Sequence, residues 1–561
     1  MKVSQYLVEK LIEYKVTDVF GIPGGVILDF IYELNEHKDI QVHLNYHEQA
    51  AAYAACGYAQ NSGKLGVAYA TKGPGVTNMI TAIAEAYYDS LPVLFITAHS
   101  QSSLNKSLRI EEEQEMDHVE LVKAITKYAQ RIENADEAIE AINAGCKAAL
   151  TGRKGPVLLD FSAKLLKSEV NAAKKNMDVS KAEDNSVLEE CIEELKKSLK
   201  SAKRPVLLIG DGVRFSEVEK KIIQISKQLQ LPIISSRFSQ DIFSTYEYYF
   251  GYIGSHGLRY SNFILSKTDC IISLGNRMAF RTESKSFKPI IECAKIIRID
   301  IDRTELNRNI PNSSTYCIDL KRLVSRLIAE DLSHCSDEWI NTCITLRNEL
   351  LNSDVNQGIS ILSNIMNAMD ADDTIVCDIG NNELLVSRAY AIAGNGRKLL
   401  HSKAFKTVGS AIGKAIGAYY ANRRKVLCIV GDQGIQFNIQ ELQYIKNNEL
   451  PIIIVICNNH ASEMLKDSEN KQGYGYLLHT TLESGYSHPN FEEIAKAYGI
   501  KYEVIHNLES AQFFFYNKEP QIIELMLGEA CQIQQILPKG YPCQKFMPEL
   551  DTNVYNFLNN L

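Results

Sequence analysis

The chain has 561 residues, 45% of them hydrophobic and 23% charged, with a net charge of −8 and no basic block. This is ordinary globular composition, long enough for three or four domains with large cores, and it argues against nucleic acid as a main partner. The longest apolar runs, such as residues 451–457, are too short to span a bilayer, and 13 cysteines without a CxxC pair point to reduced thiols of a cytoplasmic protein rather than a disulfide framework or a zinc site.

Residues 1–16 read as an amphipathic helix without the apolar core and cleavage site of a signal peptide. Apolar, β-rich runs then alternate with helical patterns, the signature of parallel α/β architecture. Strands are predicted at 18–23, 41–46, 65–71, 91–97 and 156–161. A Lys- and Asn-rich stretch near 167–188 reads as a linker. A second series follows at 205–212, 231–236, 269–275 and 296–302, then a polar stretch over about 330–355. A third series lies at 374–380, 426–434, 451–459, 501–505 and 521–527. The expected fold is three doubly wound parallel-sheet domains, at 1–170, 188–335 and 355–530, with a tail at 531–561. Residues 65–97 resemble residues 426–456: both read strand, glycine loop, helix, Leu-Pro, strand, with 16 residues from Gly75 to Leu91 and from Gly434 to Leu450. Either the first and third domains are duplicated copies of one fold, or two βαβ units look alike by chance.

The segment "VGDQGIQFNIQELQYIKNNELPIIIVICNN" places Asp432, bracketed by Gly431 and Gly434, at the end of one apolar strand. It places Asn459 at the end of the next, 27 residues later. In a right-handed βαβ unit both would lie at the carboxyl edge of the sheet, where open α/β sheets bind ligands. Carboxylate and amide oxygens suit magnesium or calcium, and a phosphate would complete the shell beside a helix starting near Asn438. An ordinary turn with Asp432 as a helix N-cap is the competing reading.

The Gly-Asp start followed by Asn-Asn resembles the thiamine diphosphate motif. "HEQAAAYAACGYAQNSGKLGVAYATKGPGVTN", "VFGIPGGVILDF", "EEEQEMDHVELVKAITKYAQRI", "GPVLLDF", "IGSHG", "SLGNRMAFR" and "IRIDIDRTELN" resemble segments of the acetohydroxyacid (acetolactate) synthase group, in the same order from about residue 3 to 530. The resemblance implies an N-terminal pyrimidine-binding, a central and a C-terminal diphosphate-binding domain. It implies a thiamine-diphosphate-dependent enzyme that decarboxylates a 2-oxo acid and ligates the two-carbon unit to a carbonyl acceptor. Glu48 would hydrogen-bond the pyrimidine ring and promote deprotonation of the thiazolium carbon; taken alone it reads as a Glu at the favourable end of a helix dipole. The backbone N–H near Gly25 would stabilise oxygen negative charge, and Gln114 would lie near the reacting atoms. Asp432, Asn459 and the carbonyl of Ala461 match the magnesium ligands. Pro23, Gly73, Thr77, Asn78, Gly380, Asn381, Thr407, Val408, Gly431, Gln433, Gly434 and Met464 match cofactor-facing positions. The cofactor of this family lies between subunits, so a homodimer or a dimer of dimers is implied, with Glu48 meeting Asp432 across the interface. His256, Arg277, Asp300 and Asp319 match a central-domain site for FAD, or contact a substrate.

Several family positions differ. Gln433 replaces a glycine, Glu113 a phenylalanine, Ser468 the tryptophan that selects the acceptor, and Glu383 a glutamine near the diphosphate. An added carboxylate there is unfavourable unless a lysine such as Lys403 compensates. The changes fall on acceptor recognition and suit a hydroxylated, sugar-like acceptor. The alternatives are a 2-oxo acid decarboxylase without carboligation and a non-catalytic relative that binds a ligand. No GxGxxG opens a βαβ unit in the right context, which speaks against a nicotinamide dehydrogenase.

Overall fold

The computed structural model describes residues 1–100, 108–110, 112–170, 185–279, 286–332, 336–394, 396–506 and 519–561. Most of the predicted linker and the last two residues of "GNRMAFR" lie outside the described residues. The first sheet comprises β1 (Asp18–Gly21), β2 (Gln41–Leu44), β3 (Gly66–Ala70), β4 (Val93–His99), β5 (Tyr128–Ile132) and β6 (Val157–Ser162). The second comprises β7 (Pro205–Ile209), β8 (Ile233–Ser236), β9 (Tyr249–Ile253), β10 (Cys270–Leu274), β11 (Lys295–Asp300) and β12 (Ser313–Cys317). The third comprises β13 (Thr374–Cys377), β14 (Lys398–His401), β15 (Val426–Gly431), β16 (Ile452–Asn458), β17 (Lys501–Ile505) and β18 (Gln521–Met526). Every pairing among these strands is parallel, as expected for strands joined by helical crossovers.

The sheet orders are β2-β1-β3-β4-β6-β5, β12-β11-β10-β7-β8-β9 and β14-β13-β15-β16-β18-β17. Numbered from its own first strand, each of the first and third sheets runs 2-1-3-4-6-5, so the repeat seen in sequence extends to topology. The second sheet runs 3-2-1-4-5-6, the order of dinucleotide-binding folds, but without their glycine fingerprint. Sequence reading passed over β5, β9, β12 and β14, and each of the four is an edge strand. β5 and β12 are only partly buried and carry a weaker apolar pattern, whereas β9 and β14 are mostly buried but short, at five and four residues.

The first and third sheets share one compact unit. The second sheet forms another unit with helices Asp337–Leu350 and Gln357–Asn367 and the C-terminal residues Gly528–Leu561. That C-terminal segment ends in helix Thr552–Asn560, which the sequence reading left as a tail. It is held by Arg259, whose Nη1 and Nη2 donate to the carbonyls of Phe546 and Pro548 at 3.2 and 2.7 Å.

Within the first unit, helix Glu48–Ser62 is Ala-rich and buried on nearly all sides. Alanine supports the helix and its small side chain permits close approach. The helix starts at His47, whose Nδ1 accepts from Gln49 N–H at 3.1 Å, and stops at Gly63, which is left-handed at φ 74°. It packs on helix Ala411–Asn422 of the third sheet with backbone nearly touching backbone. A side chain on Gly413 would begin 2.9 Å from the Ala50 carbonyl, and those on Gly57 and Gly417 would overlap the Lys414 and Ala54 backbone. Charge seals the flanks. Lys414 and Glu85, both fully buried, form an ion pair. Asp89 accepts the Lys403 and Ala404 N–H groups at 2.7 and 2.6 Å. Glu441 accepts Asn45 Nδ2 at 3.0 Å and Tyr46 N–H at 2.9 Å.

The Gly417→Ala variant should lose about 1–3 kcal/mol in urea unfolding, the range for overpacking. Gly528→Ala, whose new methyl would meet nothing within 4 Å, serves as the control. Equal midpoints for the two variants would refute the close-packing account.

Glu441 also sets a pH dependence. Burial raises its carboxyl from 4.5 to about 7, against the Asn45 and backbone hydrogen bonds. The folded chain therefore holds this proton more tightly than the unfolded chain does. The associated stability is complete below the unfolded value of 4.5 and is lost as pH rises through about 7. Glu441→Gln should narrow its stability deficit, or gain on the parent, between those two pH values. A thermal-midpoint difference that stays constant across this window would exclude the effect.

Candidate functional site

In the third sheet the strand order reverses between β13 and β15, the place where open α/β sheets form a ligand crevice. The loops after β13, β15 and β16 present Asp378, Asp432 and Asn459 there. Asp432 is buried. Its Oδ1 accepts the Gln433 N–H at 3.0 Å, while its Oδ2 has no hydrogen-bond partner. Burial pushes the carboxyl up, opposed by the nearby Tyr486 hydroxyl and His488. The side-chain carbonyl of Asn459 accepts the Ala461 N–H at 3.3 Å, which curls residues 459–461 into an Asx turn. The next residue, Ser462, donates its N–H to the Thr480 carbonyl at 2.9 Å.

A buried carboxylate oxygen that forms no hydrogen bond, with the Tyr486 hydroxyl nearby, fits a divalent cation better than an N-cap. The alternative N-cap role fails on geometry, because the 3-10 turn Gly434–Asn438 starts from Gln433 and has no side-chain cap. The α-helix expected near Asn438 begins at Glu441 instead. Among the described residues no cluster of three or more His, Cys, Asp or Glu side chains could hold a metal by itself. A cation at Asp432 would thus need oxygens from a ligand such as a diphosphate.

Gln433, the residue in place of a glycine, points outward and accepts the Ser462 hydroxyl at 3.2 Å, tying the two ligand loops together. Gly434 is required by Asp378: a side chain there would overlap Asp378 Oδ2. Asp378, which the sequence reading did not single out, is fully buried and accepts the Gly409 N–H through both oxygens, at 3.0 and 2.8 Å. Burial raises it to about 7, against the Gly409 N–H. It thereby holds the end of the loop bearing Thr407 and the exposed Val408. Asp89 holds the start of the same loop. The added carboxylate Glu383 is compensated, but by a different lysine from the one expected. Lys406 Nζ lies 2.9 Å from Glu383 Oε1, whereas Lys403 is buried beside Asp89, its amine lowered to about 8 by desolvation. Lys406 sits at a left-handed φ of 63°. Gly380 adopts φ 127°, and Asn381 Nδ2 donates to Asp467 Oδ2 at 3.4 Å. Gly431 is half-buried, and Met464 is exposed on helix Glu463–Gln472, as is Ser468.

The first sheet reverses at the equivalent place, between β1 and β3. Here a side chain on Gly24 would overlap Thr71, so the "GIPGG" turn needs that glycine, while Gly25 and Pro23 are exposed. Glu48 opens its helix and is half-buried. Its Oε2 accepts Asn78 Nδ2 at 2.9 Å, and its Oε1 lies 3.6 Å from where a Gly75 side chain would start. Thr77 is exposed one residue away on helix Pro74–Tyr88. Gly73 has φ 63°, and a side chain on it would lie 2.5 Å from the Gln114 carbonyl. Gln114 itself is exposed and left-handed at φ 60°, and Glu113 is exposed beside it. Behind this contact, Gly73 N–H donates to His118 Nε2 at 3.0 Å. His118 Nδ1 lies 3.1 Å from the buried Asp160, which also faces His99 at 3.2 Å. Burial alone would raise Asp160, yet His118 and His99 hold it below its ordinary value. This His–Asp–His core supports the glycine loop. It escaped the sequence reading because its members lie 19 and 42 residues apart, with no local motif.

In the second unit the candidates spread along the carboxyl edge of the sheet. His256 follows β9, Arg277 follows β10, Asp300 ends β11 and Asp319 follows β12. Arg277 and Asp300 lie at the ends of adjacent strands in register, with Leu274 paired to Ile299. Asp300 Oδ1 accepts the Asp302 N–H at 2.9 Å, and Asp319 caps helix Leu320–Leu327 by accepting the Lys321 N–H at 2.7 Å. A helix cap is a sufficient structural reason for Asp319.

Three family models match the chain in order. They are the thiamine pyrophosphate enzyme N-terminal TPP binding domain over residues 1–121, the central domain over 192–327 and the C-terminal TPP binding domain over 378–520. The chain is 31% identical to the acetolactate synthase large subunit of Lactococcus lactis, over 96% of this chain and 94% of that protein. It is 31% identical to a probable acetolactate synthase large subunit of Methanococcus aeolicus, over 89% and 87%. It is 28% identical to the isozyme 1 large subunit of Escherichia coli, over 96% of each. Two sheets of one topology, a third sheet between them in sequence, and relatives matched along almost the whole chain lead to one conclusion: the chain belongs to the thiamine pyrophosphate enzyme family, with acetolactate synthase large subunits among its relatives.

Proposed function

We propose that this protein is a thiamine-diphosphate-dependent enzyme that releases carbon dioxide from a pyruvate-like 2-oxo acid. It then joins the remaining two-carbon unit to a carbonyl acceptor through a new carbon–carbon bond. The observation that carries this reading is Asp432 Oδ2, a buried carboxylate oxygen without a hydrogen bond at the reversal point of the third sheet. Asp432, the Asn459 amide and the Ala461 carbonyl would hold Mg²⁺ and, through it, the diphosphate. Asn78 occupies Glu48 Oε2 and leaves Oε1 to exchange a proton with the pyrimidine ring. When bound, the cofactor supplies the electron sink for decarboxylation. Gly25 is exposed, and its N–H would donate to a developing oxyanion. Gln114, pinned through its carbonyl against Gly73, orients the substrate, and the exposed Val408 and Met464 supply apolar support for the cofactor.

Self-association completes the site in this reading. Leu44, Tyr46 and Phe437, exposed by 52%, 46% and 54%, lie close in sequence to Glu48 and Asp432 and form an apolar surface for a second copy to cover. Acceptor choice follows the departures from the family. Ser468 and Glu113 are exposed and polar, and the Glu383–Lys406 pair adds charge at the cofactor rim, which suits a hydroxylated acceptor. FAD is the less supported ligand. The second sheet has the dinucleotide-binding order, but Gly210, Gly212 and Gly275 crowd together at its reversal point, and Asn276 Nδ2 bridges to the Ile209 carbonyl at 2.9 Å.

Calorimetry with thiamine diphosphate and Mg²⁺ should show binding by the parent chain. Asp432→Asn should weaken it strongly, and Glu48→Gln should keep binding while slowing carbon dioxide release about 10²–10⁴-fold. Failure of the parent chain to bind would sink the enzyme reading. Incubation with pyruvate and a panel of acceptors, read by mass spectrometry, should give more product with hydroxylated aldehydes or ketones than with pyruvate alone. Rapid acetolactate formation from pyruvate alone would overturn the acceptor assignment, and free acetaldehyde as the sole product would favour a plain decarboxylase.

A further inference from the structure

The second unit holds a small, partly open cavity of about 20 Å³, and none of its lining residues is one assigned to the thiamine diphosphate site. It lies among helix Arg259–Lys267, helix Asp337–Leu350, the later turns of helix Asn381–Ala393 and Gln535 of the C-terminal segment. Its apolar wall includes Leu258, Leu350, Val355 and Ile359, and its charged lining is two arginines and one aspartate.

These charges do not balance. Arg259 is fully used: Nε donates to both oxygens of Asp354 at 2.8 and 2.9 Å, and its other nitrogens donate to the Phe546 and Pro548 carbonyls. Asp354 is thus taken. Arg388 is 3% exposed and has only a neutral partner, Gln535 Oε1, which accepts from its Nε at 2.9 Å and from its Nη2. Gln535 is fixed in that orientation, because its Nε2 donates to the Gly257 carbonyl at 3.2 Å. The third guanidinium nitrogen, Arg388 Nη1, is buried without a hydrogen-bond partner. Burial disfavours the charge of Arg388 most; Tyr252 and Asp354 favour it, and the neighbouring Arg237 and Arg259 oppose it.

Arginine cannot shed its charge in a protein. A buried cation without a counter-ion is strongly disfavoured. A water molecule would satisfy the N–H but not the charge. We propose that this cavity is a binding site for one chloride-sized monovalent anion, held by Arg388 Nη1. The volume suits a single small particle and excludes phosphate esters and nucleotides. The apolar wall favours weakly hydrated anions, so bromide and chloride should bind in preference to fluoride. The anion would brace the end of helix Asn381–Ala393 against the C-terminal segment through Gln535. The inference does not rest on the catalytic reading.

The test uses the full chain. Thermal unfolding in sodium bromide or chloride should give a higher midpoint than in sodium gluconate of equal ionic strength. At an anion concentration of 100 times Kd the folded state should gain about 100-fold over the unfolded state. Gln535→Glu supplies an internal carboxylate to Arg388. It should abolish the halide-dependent rise while unfolding in gluconate no lower than the parent, and Arg388→Met should abolish the rise as well. Crystals soaked in bromide should show an anomalous peak beside Arg388 Nη1. The proposal is overturned if Gln535→Glu keeps the parent's halide-dependent rise, if the parent shows none, or if the bromide map is empty at Nη1.

Discussion

The contact between helices Glu48–Ser62 and Ala411–Asn422 is the constraint on which the rest of the first unit depends. Glycines at 57, 413 and 417 bring the two backbones closer than any side chain would permit. Close approach at this scale leaves no room for rotation or sliding, because interiors are packed like crystals and not like liquids. Everything that flanks the contact is thereby placed in register. Glu48 stands at the first turn of one helix, and Asn438, just beyond the ligand loop, reaches Gln49 at 3.4 Å. The loop at 402–409 is fastened at one end by Asp89 from the first sheet's helix and at the other by Asp378.

Most buried charges around this contact are paired. Lys414 meets Glu85, Glu383 meets Lys406, Asp378 meets the Gly409 N–H, Asp160 meets two histidines, and Glu524 is held by the Asn458 amide and the Tyr502 hydroxyl. Asp432 Oδ2, buried without a hydrogen bond, departs from this pattern. Arg388 departs in the opposite sense in the second unit. An orphaned buried oxygen asks for a cation and an orphaned buried guanidinium asks for an anion; the physical argument is the same with the sign reversed.

The second sheet shows how topology and chemistry separate. Its order is that of dinucleotide-binding folds, yet three glycines fill its reversal point with backbone in place of a phosphate-cradling loop. A shared fold leaves function to the site built on it. Here two sheets of one topology carry the loops matched to thiamine diphosphate while the third, of another topology, carries none of the matched residues.

By itself the sequence determined the fold class, fourteen of the eighteen strands, the repeat between the first and third sheets, and the identity of Glu48, Asp432 and Asn459 as candidates. These are local properties: buried parallel strands are continuous apolar runs, and ligand loops follow them directly. Only the tertiary structure recovered the four edge strands, of which β5 and β12 are partly buried with little apolar pattern and β9 and β14 are buried runs of only five and four residues. It also selected Lys406 over Lys403 as the partner of Glu383, Lys403 being buried beside Asp89 instead. It brought in Asp378, His118 and Asp160, which act through residues distant in sequence, and it exposed the unbalanced Arg388. Burial and charge balance depend on which distant segments meet, and that is settled when the chain packs, not along its length.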